Sequence, residues 1–531
     1  MKIKHLFGLA IIAAMTASCS SNEDLGTAGP GTGTNETGVG YATFTINLPS
    51  VGGSTTSGAR GTRAADDGGA EVDEGTADEY KVSDATALIF QKYGADEGSY
   101  KFVESVNLPV TATDLEDDTE AGITTKSKKL VAKLTNVDTK NTYGVLVLLN
   151  NKASSGGVKI KLPTAGQSYN EWNNEAQSPN LTELTKADNF YMANAPLNES
   201  GSVTTLVKID KNNIYATEAE AKANSSANVY VERGVAKMSV ADPATKTVVD
   251  KATPTVTTQS TVTFNNWALD ITNKKTYAVH NIDGLKSDFD DIWKTDRFIG
   301  TNSRVYWGKD PNYNMDDLKK NNATDDSKRG EEFNFITATS EINKAFTESA
   351  YCLENTFNLA NMYQGQTTRV IFKATYAPKN DAGKSLAEED GTFYTIGNMT
   401  TILKKADLET AVNTAATSVL PGCTVNYANL ETEGSHVITL EDIKDGTSGA
   451  VLEAATTYGT KTGEQIVKEI NEKLGLTDGA GRPEAMVGIN TYLNGVTYYI
   501  ARVKHFGSST TWSSGESYGT DNGKYLGRYG M

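Results

Sequence analysis

The chain has 531 residues, enough for two to four ordinary domains, with a formal net charge of −16 and a sequence pI near 4.9. That acidity argues against a nucleic-acid partner and suits a surface facing water. Its cysteines, Cys19, Cys352 and Cys423, are too few for a disulfide framework. For Cys352 and Cys423 the sequence leaves open a bridge or two buried thiols.

The first 24 residues, MKIKHLFGLAIIAAMTASCSSNED, place Lys2 and Lys4 before an apolar run from Leu6 to Met15. That run is too short for a stable membrane-spanning helix and has the form of a secretory signal peptide. It ends in MTASC, small residues followed by Cys19. This is the pattern of a bacterial lipobox, in which the cysteine is acylated and becomes the mature N-terminus. Several acyl chains would hold the exported protein to a membrane firmly.

Residues 20–40 are rich in Gly, Thr and Asn and read as a flexible tether. The GPGTGTNETGVG within them lacks the strand and helix that a phosphate loop requires. YATFTINLP (41–49) then alternates strictly, with Ala42, Phe44, Ile46 and Leu48 on one face. That is a half-buried strand. Since one strand is not stable alone, it must pair with a body that begins about thirty residues later. The segment between, SVGGSTTSGARGTRAADDGG, carries Arg60 and Arg63, with no other basic residue between Lys4 and Lys81. Two arginines in an exposed, pliable connector are protease targets.

The body reads as all-β with a few short helices. Strands are expected at 79–90, 100–110, 128–137, 142–150, 228–240, 260–273, 275–282, 367–378, 391–397, 436–443 and 494–507. Gly-, Asn- and Asp-rich turns separate them, a spacing that suggests β-sandwiches. GEQIVKEINEKLGL (463–476) carries a helical stripe of Ile466, Val467, Ile470 and Leu474, with Gly475 as a stop signal. Residues 340–349 and 405–416 are weaker helix candidates.

Catalytic and metal signatures are missing from the sequence. His280, His436 and His505 sit singly in expected strands, and no HExxH, paired CxxC or GxSxG occurs. The acidic stretches 114–120 and 388–392 do not match an EF-hand loop and read as solvated turns. Paired carboxylates for glycoside hydrolysis cannot be recognised from sequence, because their separation is three-dimensional. Tyr and Trp could form a sugar-binding surface but more often fill sandwich cores.

Several segments in order carry a resemblance: GTADEYKVSDATALIF (75–90), FYMANAP (190–196), YVERGVAKMSV (230–240), SRVYWGKDPNYN (303–314), YCLENTF (351–357), QTTRVIFKATY (366–376), and YYIARVKHFG (498–507) through YLGRYG (525–530). Behind a lipobox, this set resembles the fimbrillins, the type V pilins of anaerobic Gram-negative oral and gut bacteria, and within them the major subunit of the minor fimbriae.

The resemblance implies a non-enzymatic fimbrial subunit with two tandem transthyretin-like β-sandwich domains. It implies a signal peptide over 1–18, a lipidated propeptide with a detachable strand over 19–63, an N-terminal sandwich over 64–282 and a C-terminal sandwich over 283–531. Lipid on Cys19 would hold the precursor at the outer membrane. An arginine-specific protease would then cut after Arg63 or Arg60, with Arg63, nearest the body, preferred. Removing the strand carrying Ala42, Phe44, Ile46 and Leu48 would open a groove for a strand from the C-terminal end of a neighbouring subunit.

The implied partners are further copies of the chain, accessory tip or anchor subunits, the processing protease and the outer membrane. No cofactor, metal or nucleic acid is implied, and the location is the cell-surface fimbrium. Relatives continue beyond the YLGRYG match, so much of the donor segment is expected to be missing: either the sequence is cut short at Met531, or the subunit accepts a strand and does not donate one in the usual way. The alternatives are a lipid-anchored glycan-binding protein that does not polymerise and a secreted glycosidase.

Overall fold

A computed structural model describes residues 33–48, 76–110, 116–117, 126–199, 202–224, 227–249, 257–283, 303–304, 308–314, 326–356, 366–397, 401–476 and 488–502. Cys19, Arg60, Arg63 and His505 lie outside them. The fold is mostly β, with short helices.

The N-terminal half is built on strands β1 (Gly40–Leu48), β2 (Ala85–Gln91), β3 (Lys101–Leu108), β4 (Glu116–Asp117), β5 (Lys126–Leu134), β6 (Tyr143–Leu149) and β7 (Met192–Asn194). They are followed by β8 (Leu197–Glu199), β9 (Ser202–Thr204), β10 (Val207–Ile209) and β11 (Ala227–Arg233). Four short helices intervene: α1 (Ala77–Tyr80), α2 (Tyr169–Asn173), α3 (Leu181–Leu184) and α4 (Glu218–Ala223). The main sheet runs β3-β2-β6-β7-β11-β1-β5-β4, with β10 also on β6. β8 and β9 form a hairpin in a separate small sheet with Ser303–Arg304.

β6 is buried at every residue, as expected for a central strand with both faces covered. The core joins Ala42, Phe44, Ile46 and Leu48 to Leu88, Leu146, Val229 and Val231. Phe90 meets Phe102 and Tyr169 edge-on, with ring centroids 5.6 and 5.7 Å apart. The sheet path curls until its ends approach. The buried Glu104 carboxylate of β3 accepts from Thr135 N at 3.0 and 3.1 Å and from Asn136 N at 3.0 Å, just beyond β5.

A second sheet links distant parts of the chain. The strand Thr257–Asp270 pairs with Lys246–Val249 and Arg369–Ala377, and the last of these pairs with Val496–Arg502. Ala236–Ser239 likewise pairs with Ser349–Cys352. Strands from both sides of residue 282 therefore share sheets.

A second core packs the helices Lys405–Val419 and Gly463–Lys473 beside the strands Phe393–Ile396 and Ile489–Tyr492, through Leu408, Val412, Ile466, Ile470 and Ile489. Gly475 has φ +70°, its N–H bonds Glu472 O at 3.0 Å, and Leu476 N bonds Asn471 O at 2.8 Å. The expected stop is thus a left-handed glycine turn.

Three local expectations fail. Residues 340–349 give only a 3-10 turn, Thr339–Glu341, and then the strand that starts at Ser349. Thr276 and Asn281 make isolated bridges in place of a strand over 275–282. Within 436–443, His436 ends a three-residue strand and Leu440–Asp442 is a 3-10 turn. In each, side chains or distant backbone supply hydrogen bonds that the expected helix or ladder would have made. Glu341 caps Thr337 N and Ala338 N, and Asp442 accepts from Thr439 N.

Candidate functional site: an inserted strand

β1 lies inside the main sheet. Along its whole length it pairs antiparallel with β5, from Gly40 opposite Leu134 to Leu48 opposite Lys126. On its other side it runs parallel to β11, from Phe44 beside Ala227 to Asn47 beside Tyr230. Its period-2 pattern puts the four apolar side chains inward. Phe44 and Leu48 are fully buried, and Ala42 and Ile46 nearly so.

The three larger side chains contribute roughly 1.5–3 kcal/mol each. Each ladder bond adds about 0.5–1.5 kcal/mol net. Among the described residues, β4 and β1 are the only strands bonded to β5, and β4 covers only two residues. β1 is thus the main ladder joining β5 to the rest of the sheet, and the Glu104 carboxylate is a second tie.

The outward face is only partly open to water: Tyr41 and Thr45 are part-exposed. Thr43 and Asn47 are each 3 % exposed. The segment 217–224 crosses over Thr43, and residues 214–215 join the strand's edge. Tyr41 and Tyr215 exchange backbone hydrogen bonds, 2.8 Å each way, and Gly33 N donates to Ile214 O at 2.7 Å. Thr43 Oγ1 donates to Ala221 O at 2.7 Å. A Cβ on Gly40 would stand 2.6 Å from Ile214 Cγ2, so any larger residue there would force Ile214 to shift. From β5, Lys129 Nζ donates to Lys222 O at 3.0 Å and to Asn224 O at 2.6 Å.

This cover was not visible in the sequence. Thr43 and Asn47 read there as water-facing. The one local signal was Thr217 with Glu220 three residues on, a helix-start pair that the structure uses: Glu220 N donates to Thr217 Oγ1 at 3.3 Å.

A second feature, also missed, lies where the chain re-enters the described body. Glu79 of α1 is 1 % exposed and accepts from Thr76 N at 2.8 Å and Lys237 Nζ at 3.0 Å. Tyr351 Oη donates to it, and Arg233 NH1 stands 3.7 Å away. Burial pushes this carboxyl up. The hydrogen bonds from Tyr351, Lys237 and Thr76, with the Arg233 charge, outweigh burial and hold it below the ordinary glutamate range. The body therefore starts at a pinned point, tied to the strands Ala236–Ser239 and Ser349–Cys352.

The remaining candidates fall elsewhere. His280 lies in a loop, with Nδ1 2.7 Å from Glu232 Oε1 and Nε2 3.5 Å from Glu354 Oε2. In the stretch 388–392, Asp390 accepts from Thr392 N at 2.8 Å and Glu388 from Lys405 N at 2.8 Å, so these carboxylates close a turn and a helix start. Of the other acidic stretch only 116–117 is described. Cys352 and Cys423 are both free and buried.

No protein-family model matches the chain, and no curated protein matches it. A solved crystal structure, that of a fimbrial assembly protein from Parabacteroides distasonis, is similar at 11% identity with a TM-score of 0.29. The match covers 68% of this chain and 93% of that one. A likeness that distant carries no argument about fold or function, and the functional reading rests on the inserted strand alone.

Proposed function

We propose that the chain is a structural subunit of a cell-surface fimbrium, exported as a lipoprotein precursor through Cys19 and polymerised by strand exchange after its N-terminal extension is cut away. One observation carries the reading: β1, upstream of the connector that holds Arg60 and Arg63, fills a position inside the sheet between β5 and β11. While joined to the body, β1 is held at high effective concentration and blocks that position. After cleavage at Arg63 or Arg60 it becomes a separate peptide that dilution can remove. The vacated slot has two unpaired strand edges and an apolar floor, the requirements for adding a strand from another subunit.

The test is to treat full-length precursor with an arginine-specific protease. The expected result is a body starting at Ala64 or Gly61 that loses the peptide containing 33–48 and, where the C-terminal donor segment is present, gives ladders of multimers on mildly denaturing gels. An Arg60→Ala, Arg63→Ala variant should stay monomeric. A cut body that keeps the peptide and remains monomeric would overturn the proposal.

A further inference from the structure

We infer that residues 214–224 form a latch over β1, fastened from β5 by Lys129, and that opening this latch sets how readily the strand leaves; the inference rests on the proposed strand exchange. The latch begins at the edge of the strand and ends over its face. β5 and β11 hold β1 edge to edge, Tyr215 adds to that edge pairing at Tyr41, and α4 lies over Thr43 on the outer face. Ile214, packed in the main core beside Gly40, and Ala221 are both fully buried.

Three attachments of different kinds hold it. The reciprocal Tyr41–Tyr215 backbone pair and the Gly33 N to Ile214 O bond close its first part. The Thr43 hydroxyl, donating at 2.7 Å to Ala221 O, closes its middle. At the end of α4, Lys129 Nζ satisfies the carbonyls of Lys222 and Asn224. A cation suits a helix C-terminus, where carbonyls lack partners within the helix. Lys129 stands opposite Thr45 in the β1–β5 register, so its ammonium reaches from the slot's wall to the latch.

Consequently the latch opposes outward movement of β1 in addition to the β5 and β11 ladders. Lys129 is exposed and holds the latch without touching the core, so its removal loosens the cover and spares the fold. Thr43→Val keeps the shape of the side chain and leaves Ala221 O without its donor.

Amide hydrogen exchange on the intact precursor tests the latch without any cleavage. Lys129→Ala and Thr43→Val should each speed exchange in peptides covering 40–48 and 214–224 by about three- to tenfold, the span of one net hydrogen bond. Peptides covering β2 and β6 should not change. Unaltered exchange at 40–48 in both variants, or an equal rise across the whole sheet, would overturn the latch.

A second arm follows release of the peptide containing 33–48 after the arginine-specific cut. Faster release in the variants supports the latch. Release at one common rate refutes it and leaves strand exchange intact. Retention of the peptide by every variant refutes strand exchange, and the exchange data on intact precursor then decide the latch alone.

Discussion

Phe44 stands opposite Leu130 across the β1–β5 ladder, and both are buried in the same core. A residue upstream of the connector and a residue of the body thus complete one hydrophobic layer.

Truncating this contact should be costly. Phe44→Ala is expected to destabilise the intact chain by about 3–5 kcal/mol, the usual loss for emptying a buried phenylalanine site. Urea unfolding of full-length protein reads the effect as a lowered midpoint. A body from which 1–63 has been removed carries no residue 44, so preparations from parent and variant should unfold alike.

Acid should weaken the anchor at Glu79. Its folded carboxyl is held below the ordinary value of 4.5. The stabilisation is therefore complete above about pH 4.5 and is lost as pH falls through the folded value. Glu79→Gln should cost roughly 1.5–3 kcal/mol at pH 7, because Lys237, Arg233 and Tyr351 lose a charged acceptor. The gap between parent and variant should narrow toward pH 3, as thermal unfolding at several pH values would record.

The two thiols should be inert until the protein unfolds. Burial pushes Cys352 up to about 12, and burial with the nearby Asp445 charge raises Cys423. Alkylation needs the thiolate. Iodoacetamide at pH 7.5 should leave both unmodified in native protein and modify both in urea; rapid labelling of native protein would contradict the packing at those sites.

Cleavage preference follows from position. Arg63→Ala should slow conversion of the precursor more than Arg60→Ala, since Arg63 lies nearer the body, and the double variant should resist. N-terminal sequencing of the product distinguishes Ala64 from Gly61.

The inserted strand was legible because its pattern is local. Ala42, Phe44, Ile46 and Leu48 repeat at period two, and that spacing alone names the buried face. Its partners were not legible. Strands 126–134 and 227–233 are far away in the chain, and their order in the sheet depends on long-range closure. The latch was hidden for a related reason: Thr43 and Asn47 are polar, and only the folded chain brings Ala221 within reach of the Thr43 hydroxyl. The helix Gly463–Lys473 was plain from its stripe and its Gly475 stop. Glu79 looked like one acidic residue among many until Lys237, Tyr351 and Arg233 gathered around it.

The most direct test adds a fluorescent peptide of sequence 33–48 to cut and uncut protein. Cut body should take the peptide up, with displacement of the resident one, and intact precursor, whose own tethered strand fills the place, should take up none. No uptake by cut body, or equal uptake by both forms, would contradict the claim that this strand is a removable occupant of the sheet.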